Sequence, residues 1–283
     1  MFSIYYHVII KALLLIPFCI SSHYSLSLTP IARYSYRNGC FKTTAENSFV
    51  NNHKKLGCFS KCTYICTGKL QNRIGNMTEN DFLSCINKYA KEIGQIKESA
   101  HRLHEHVNQT YDKVHPYGFH LDMVVDSVYK YGHEVCIEER DVLPLFFGAY
   151  FHDSIEDARL TYNDVTKTAR QWMDEAQAYM AAEIVYALTN DKGRTRAERA
   201  GERYYQGIRE TPYAPFMKLA DRLANITYSF THSNESNVHM KDVYQQELPH
   251  FLAAITAQND DIRFTLPQAM VEEIGQLIHD QRS

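Results

Sequence analysis

Hydrophobic residues recur at helical spacing from Met77 to the end of the chain, and this periodicity constrains the fold more than any other feature. Thr78 precedes the first apolar stripe and is a favourable N-cap residue. No run of alternating apolar and polar residues follows, and no internal repeat is evident. The pattern predicts a compact, all-α, single-domain helical bundle over residues 77–283. The first stripe comprises Phe82, Ile86, Tyr89, Ile93 and Ile96.

Residues 1–76 have a different character. Residues 23–76 almost lack acids and show neither helical nor strand periodicity. We interpret residues 1–76 as a disordered leader or an over-extended reading frame, with Met77 as the real start. Part of a zinc site is the alternative, although no well-spaced fourth ligand follows. The three cysteines that would contribute to it are Cys58, Cys62 and Cys66.

Three features bear on the cellular compartment. Residues 5–22 have the length of a signal-peptide core, but Lys11 interrupts them and they are short for a membrane span. The odd number of cysteines, few of them after residue 66, argues against a disulfide framework. A glycan on the sequon at residues 225–227 would disrupt a motif described below. We therefore expect a cytoplasmic protein, with a cleaved secretory signal as the alternative.

The charge balance limits the choice of partners. The formal net charge is -3 and the isoelectric point is near 6.5. No general attraction to nucleic acid or to a membrane surface is expected from such a chain. An anionic ligand must be held by local charges.

A concentration of polar groups follows the apolar run at residues 143–150. If a helix extends from about Leu143 to Asp157, four polar groups share one face. Burying them without a counter-charge would cost on the order of several kcal/mol. A divalent cation supplies that charge, and imidazole with carboxylate suits Mn²⁺, Fe²⁺ or Zn²⁺ better than Ca²⁺. A buried hydrogen-bonded network without metal is the alternative. The four groups are His152, Asp153, Glu156 and Asp157.

Two further stretches extend this set. His120 follows Pro116-Tyr117 at the start of an amphipathic helical pattern, and Asp221 and Asn225 lie four residues apart in another. The resulting order, one histidine, a His-Asp pair and then an aspartate, resembles the signature of the HD superfamily of metal-dependent phosphohydrolases.

Within that superfamily, the sequence is most similar to the hydrolase domain of Rel/SpoT proteins and to small alarmone hydrolases. The resemblance covers about residues 95–230, and the motifs are specific only as a set. They are QTxxxxxPYxxH (109–120), HDxxED (152–157), a TxDV-like segment with one extra residue (161–165), LTNDK (188–192) and KLADRLxN (218–225).

The resemblance implies a role for each matching residue. His120, His152, Asp153 and Asp221 would bind one metal ion, Mn²⁺ in this family. Glu156 and Asp157 would orient and deprotonate the attacking water. Asn225 would hydrogen-bond the sugar region of a nucleotide, with Tyr117 and Lys113 also at the substrate.

The chain departs from the family where substrate is recognised. Tyr111 stands where the family commonly has arginine, which leaves Lys113 as the nearest cation, and Thr227 and Tyr228 replace a basic residue. If their segment is helical, three arginines form a stripe that meets phosphates, with Lys192 in the preceding loop. Interleaved glutamates favour the alternative of a solvated face. The arginines are Arg196, Arg199 and Arg203.

We therefore predict hydrolysis of the 3'-pyrophosphate of ppGpp or pppGpp, which releases pyrophosphate and GDP or GTP. The alternatives are an HD-type nucleotidase or phosphodiesterase on another nucleotide, and a weakly active nucleotide-binding regulator.

The other histidines near the first motif lack cysteines or acids at ligand spacing, so we expect them at the surface or site rim rather than in a second metal site. They are His101, His104 and His106. The oligomeric state is left open.

Overall fold

The computed structural model describes residues 77–190, 193–232 and 238–279 and the backbone of two strands nearer the N-terminus, without the side chains of Arg196 and Ala197. The chain divides into two units, Met1–Tyr64 and Ile65–Ser283. In the first unit, β1 (Tyr34–Arg37) pairs antiparallel with β2 (Cys40–Thr43). The sequence pattern does not predict this pair. The expectations of a leader, a signal-like segment and a cysteine site otherwise lie outside the described residues.

Within the described residues the second unit is all-α apart from one small hairpin, which confirms the predicted fold class. None of the described helices combines the length and the apolar character that a bilayer span requires. The helices are α1 (Glu79–Lys88), α2 (Ala90–His106), α3 (Gly118–Tyr131), α4 (Val142–Phe151), α5 (Tyr162–Ala169), α6 (Glu175–Leu188), α7 (Arg196–Arg199), α8 (Glu202–Glu210), α9 (Ala214–Thr231), α10 (Val238–Ile255) and α11 (Gln268–His279). The hairpin joins β3 (Thr110–Tyr111) to β4 (His115–Pro116), and short 3₁₀ helices span Gly132–Glu134, Glu139–Asp141 and Ile262–Phe264.

Side-chain caps define where several helices begin. Thr78 accepts a hydrogen bond from the backbone N–H of Asp81, as predicted. Thr161 with Asp164 forms a capping box at the start of α5. The predicted first helix is two helices, because the chain breaks at Tyr89 between α1 and α2. The apolar stripe still faces one core, since its residues on both helices are buried or packed against it.

Helix α4 lies at the centre of the core, and every one of its residues is buried. It packs against α2, α3 and α6. Gly148 allows the close approach of α6, because a Cβ atom at this position would lie 2.8 Å from Cγ2 of Ile184. Helix α4 thus holds the residues that follow it in a fixed place.

Helix α9 begins at a strained residue. Tyr213 has a φ of 67°, which is unfavourable for a bulky side chain. Its hydroxyl donates to Oδ2 of Asp141 over 2.5 Å, and its backbone N–H donates to the carbonyl of Arg263 over 2.6 Å. These two bonds fix the start of the helix that carries Asp221.

Candidate metal centre

Three helices bring the four predicted ligands together. His120 lies in the first turn of α3, His152 and Asp153 directly follow α4, and Asp221 lies in the middle of α9. Both histidines are only 1% exposed. The predicted continuation of the helix to Asp157 is wrong, because α4 ends at Phe151.

The helix ends because a side chain takes one of its carbonyl groups. The Nδ1–H of His152 donates to the carbonyl of Ala149 over 2.8 Å, which competes with the next helical hydrogen bond. The N–H of Ser154 bonds the carbonyl of Phe151 over 2.9 Å, as in a tight turn. One α-turn remains, from Asp157 to Asp153. The polar groups therefore converge through a turn and not along a helix face.

Ligand atoms from all four residues meet in a small volume. Nε2 of His120 lies 3.3 Å from Nε2 of His152 and 3.5 Å from Oδ1 of Asp221. Oδ2 of Asp153 lies 2.8 Å from Nε2 of His152 and 3.7 Å from Nε2 of His120. One atom each from His120, His152 and Asp153 lies within 4.8 Å of the others. Such a group has the size of a single ion's coordination shell.

The donor set fits a divalent transition metal. The proton on Nδ1 of His152 is used in the hydrogen bond to the carbonyl of Ala149. In the neutral ring, the lone pair on Nε2 of His152 therefore faces the cluster. Burial opposes a charge on His152, but Asp153 and Asp221 outweigh it and raise its pKa to about 9. The carboxylates thus favour a positive charge at this point, which either a proton or a metal ion supplies. Imidazole and carboxylate together suit Mn²⁺, Fe²⁺ or Zn²⁺.

Asp221 is held by two neighbours on α9. Nζ of Lys218 lies 2.9 Å from Oδ2, and Nδ2 of Asn225 donates to Oδ1 over 2.6 Å. Burial disfavours ionisation of Asp221, but Lys218 and the imidazoles outweigh it and lower the pKa well below its ordinary value. Tyr111 donates to Oδ1 of Asn225 over 2.9 Å. The amide predicted to bind substrate therefore contacts Asp221, a predicted metal ligand, and Tyr111, which the sequence marks only as a departure from the family, belongs to the same hydrogen-bonded group.

The two predicted catalytic acids have different surroundings. Asp157 is half-buried, and burial followed by the charge of Asp153 raises its pKa to about 6. Glu156 is exposed and accepts hydrogen bonds from Asn190, 2.5 Å from the backbone nitrogen and 3.0 Å from Nδ2. Asp157 thus has the properties of a base that works near neutral pH, whereas Glu156 connects the site to the end of α6.

A cleft of about 1580 Å³ opens beside Asp221 and Asn225. Its walls come from α7, α8, α9, α10 and the segment after α10, and they carry both aromatic and charged side chains. The aromatic residues are Tyr204, Tyr205, Tyr244, Phe251 and Phe264. The four cations are Arg199, Arg209, Lys218 and Arg222, and the four acids are Glu202, Glu210, Asp221 and Glu247.

The predicted cationic residues do not gather at one place. Arg196 and Arg199 lie on α7 but Arg203 lies on α8, so the three do not form one helical stripe. Arg199 lines the cleft, whereas Arg203 is exposed and does not contribute to its lining. Lys113 is exposed at the tip of the β3–β4 hairpin with a φ of 61°, and Lys192 lies outside the described residues.

The chain matches no protein-family model and no curated protein. What the centre does is therefore inferred from its own geometry and chemistry.

Proposed function

We propose that the chain is a metal-dependent phosphohydrolase that acts on the 3'-pyrophosphate of ppGpp or pppGpp. The observation that carries the proposal is the convergence of His120, His152, Asp153 and Asp221, from α3, the turn after α4, and α9, beside a large cleft. Mn²⁺ is the cation expected from the resemblance, and the donor set suits it.

The residues around the centre have separate tasks in this reaction. A divalent cation lowers the pKa of water and stabilises charge on a phosphoryl oxygen. Asp157 accepts the proton of the attacking water, and its pKa of about 6 keeps it ionised at neutral pH. The water oxygen forms a bond to the phosphorus that carries the 3'-oxygen, and the bond between that phosphorus and the 3'-oxygen breaks. The 3'-oxygen takes up a proton, so that GDP or GTP is released together with pyrophosphate. The aromatic walls of the cleft suit a nucleobase.

The test uses the full chain, loaded with Mn²⁺ and supplied with ppGpp. We expect metal-dependent release of pyrophosphate. Asp153→Ala should lose both metal and activity, whereas Asp157→Asn should keep the metal and lose about 100-fold or more in kcat. A chain that binds no metal and leaves every phosphate ester intact contradicts the proposal.

One observation favours the second candidate, hydrolysis of a nucleotide with fewer phosphates. The cleft carries as many acids as cations, and three cations already have partners: Arg209 with Glu202, Arg222 with Glu247, and Lys218 with Asp221. A substrate with four or five phosphates requires more cationic contacts than this. Release of orthophosphate or nucleoside from a nucleotide panel, with ppGpp intact, would support this candidate. Binding without turnover would instead indicate a regulator.

A further inference from the structure

A buried histidine lies behind the metal centre without any hydrogen bond. His104, near the end of α2, is 0% exposed, and neither ring nitrogen has a partner among the described residues. The prediction of a surface or rim position for it is wrong. Burial lowers its pKa to about 4, so the ring is neutral at pH 7. A buried polar ring without partners needs an explanation.

The contact of His104 with Tyr117 provides one. The two rings are stacked, with centroids 4.6 Å apart and planes inclined by 18°. The neighbouring residue Gly118 packs equally closely, because a Cβ atom there would lie 2.6 Å from Nδ1 of His101. Two consecutive residues before and at the start of α3 are thus pressed against two histidines of α2.

The hydroxyl of Tyr117 reaches the metal centre. It donates to Oδ2 of Asp153 over 2.5 Å, and this is the oxygen that lies 2.8 Å from Nε2 of His152. Because a carboxylate oxygen only accepts, the phenol hydroxyl is the donor of this bond. Asp153 follows the end of α4 and has no helix to fix its side chain. The tyrosine therefore sets where this carboxylate points.

We propose that Tyr117 is a positioning residue for Asp153 and that His104 serves as the aromatic platform that holds Tyr117. This inference rests on the proposed metal centre and adds two residues that support it from behind. It assigns Tyr117 to a ligand of the metal and not to the nucleotide.

The experiment measures Mn²⁺ binding to the full chain by titration calorimetry, without any nucleotide. Tyr117→Phe keeps the stack and removes the hydroxyl, so we expect affinity to fall about tenfold or more, as for other groups that orient metal ligands. His104→Ala removes the platform and should weaken binding similarly. His104→Phe keeps a flat ring and should bind Mn²⁺ with an affinity close to that of the wild type. If the imidazole nitrogens were required, His104→Phe would bind as weakly as His104→Ala. Circular dichroism checks that each variant is folded.

Tyr129→Phe is the matched control, since Tyr129 is an exposed tyrosine of α3, and it should bind Mn²⁺ like the wild type. Equal affinities for Tyr117→Phe and wild type overturn the inference and leave the proposed function standing. Weakened binding in Tyr117→Phe supports it even where the wild type hydrolyses no nucleotide, an outcome that rejects only the proposed function. A wild-type chain that binds no metal overturns both.

Discussion

Asp221 uses its two carboxylate oxygens for different partners. Oδ2 pairs with Lys218, while Oδ1 accepts from Asn225 and lies 3.5 Å from Nε2 of His120. Lys218 thus neutralises the negative charge of Asp221, and Asn225 fixes the orientation of its carboxylate. Because the amide oxygen of Asn225 is itself bonded to Tyr111, the orientation of the amide is fixed as well.

Asn225 should contribute to metal binding through its contact with Asp221. Asn225→Ala should weaken Mn²⁺ binding about tenfold, because the oxygen of Asp221 that faces the imidazoles loses its orienting donor. Titration calorimetry measures the dissociation constant, and steady-state kinetics at saturating Mn²⁺ measure KM. An unchanged metal affinity with a raised KM would instead assign Asn225 to the substrate, as the family resemblance implies.

His104 gives a prediction about pH. Its pKa is lowered to about 4 in the folded chain by burial, against 6.5 for the ordinary side chain. The unfolded chain therefore takes up a proton before the folded one, so stability is retained above pH 6.5 and falls as the pH drops towards 4. Between pH 7 and pH 4 the metal-free wild type should lose about 3 kcal/mol more than His104→Phe.

Urea unfolding at the two pH values measures this difference. His106→Phe, an exposed position on the same helix, is the matched control and should keep the wild-type pH dependence. Parallel losses in wild type and His104→Phe would contradict the neutral, buried state of His104.

Sequence periodicity is sufficient to predict the helices but not where they end. The apolar stripe after Thr78 and the all-α class are confirmed. The end of α4 depends on one side-chain bond, from His152 to Ala149, that no propensity reveals. The β3–β4 hairpin contains Asp112 and Lys113 at φ values of 49° and 61°. Glycine is the usual residue at such φ values, and its absence left the turn without its ordinary sequence signal.

The site was predictable to the same limited degree. Ligand residue types and their order along the chain indicate the four converging side chains. Contacts across helices, such as the bond of Tyr117 to Asp153 and the burial of His104, depend on packing between residues far apart in sequence. The three arginines fail as a stripe because the chain turns between α7 and α8.

The packing of α4 gives a prediction for two glycines. Gly148→Ala should destabilise the fold by about 1–3 kcal/mol, because its methyl group would lie 2.8 Å from Ile184. Gly94→Ala in α2 has nothing within 4 Å and should stabilise by about 0.5–1 kcal/mol through helix propensity. Chemical denaturation of both variants measures the two effects. Equal changes would mean that α4 and α6 are less tightly packed than described.

Metal binding should stabilise the fold as a whole. Mn²⁺ at about 100 times its dissociation constant adds about 2.7 kcal/mol, because it binds only the folded centre. For a chain of this size that corresponds to a rise in Tm of roughly 5–10 °C. Differential scanning calorimetry with Mn²⁺ or EDTA measures it. The Tm of His152→Ala should be the same with Mn²⁺ and with EDTA. A wild type whose Tm is also the same in the two conditions would contradict the metal centre.

The proposed ligands of this centre come from α3, the turn after α4, and α9, so they are separated by dozens of residues along the chain. Local helix formation brings none of these three parts together. During refolding the helices should therefore form first, and the cation should enter only when α3 and α9 have docked on the central helix. The rate of Mn²⁺ uptake would then report the last step of folding, and it should be slower than the rate at which the far-ultraviolet signal of the helices appears.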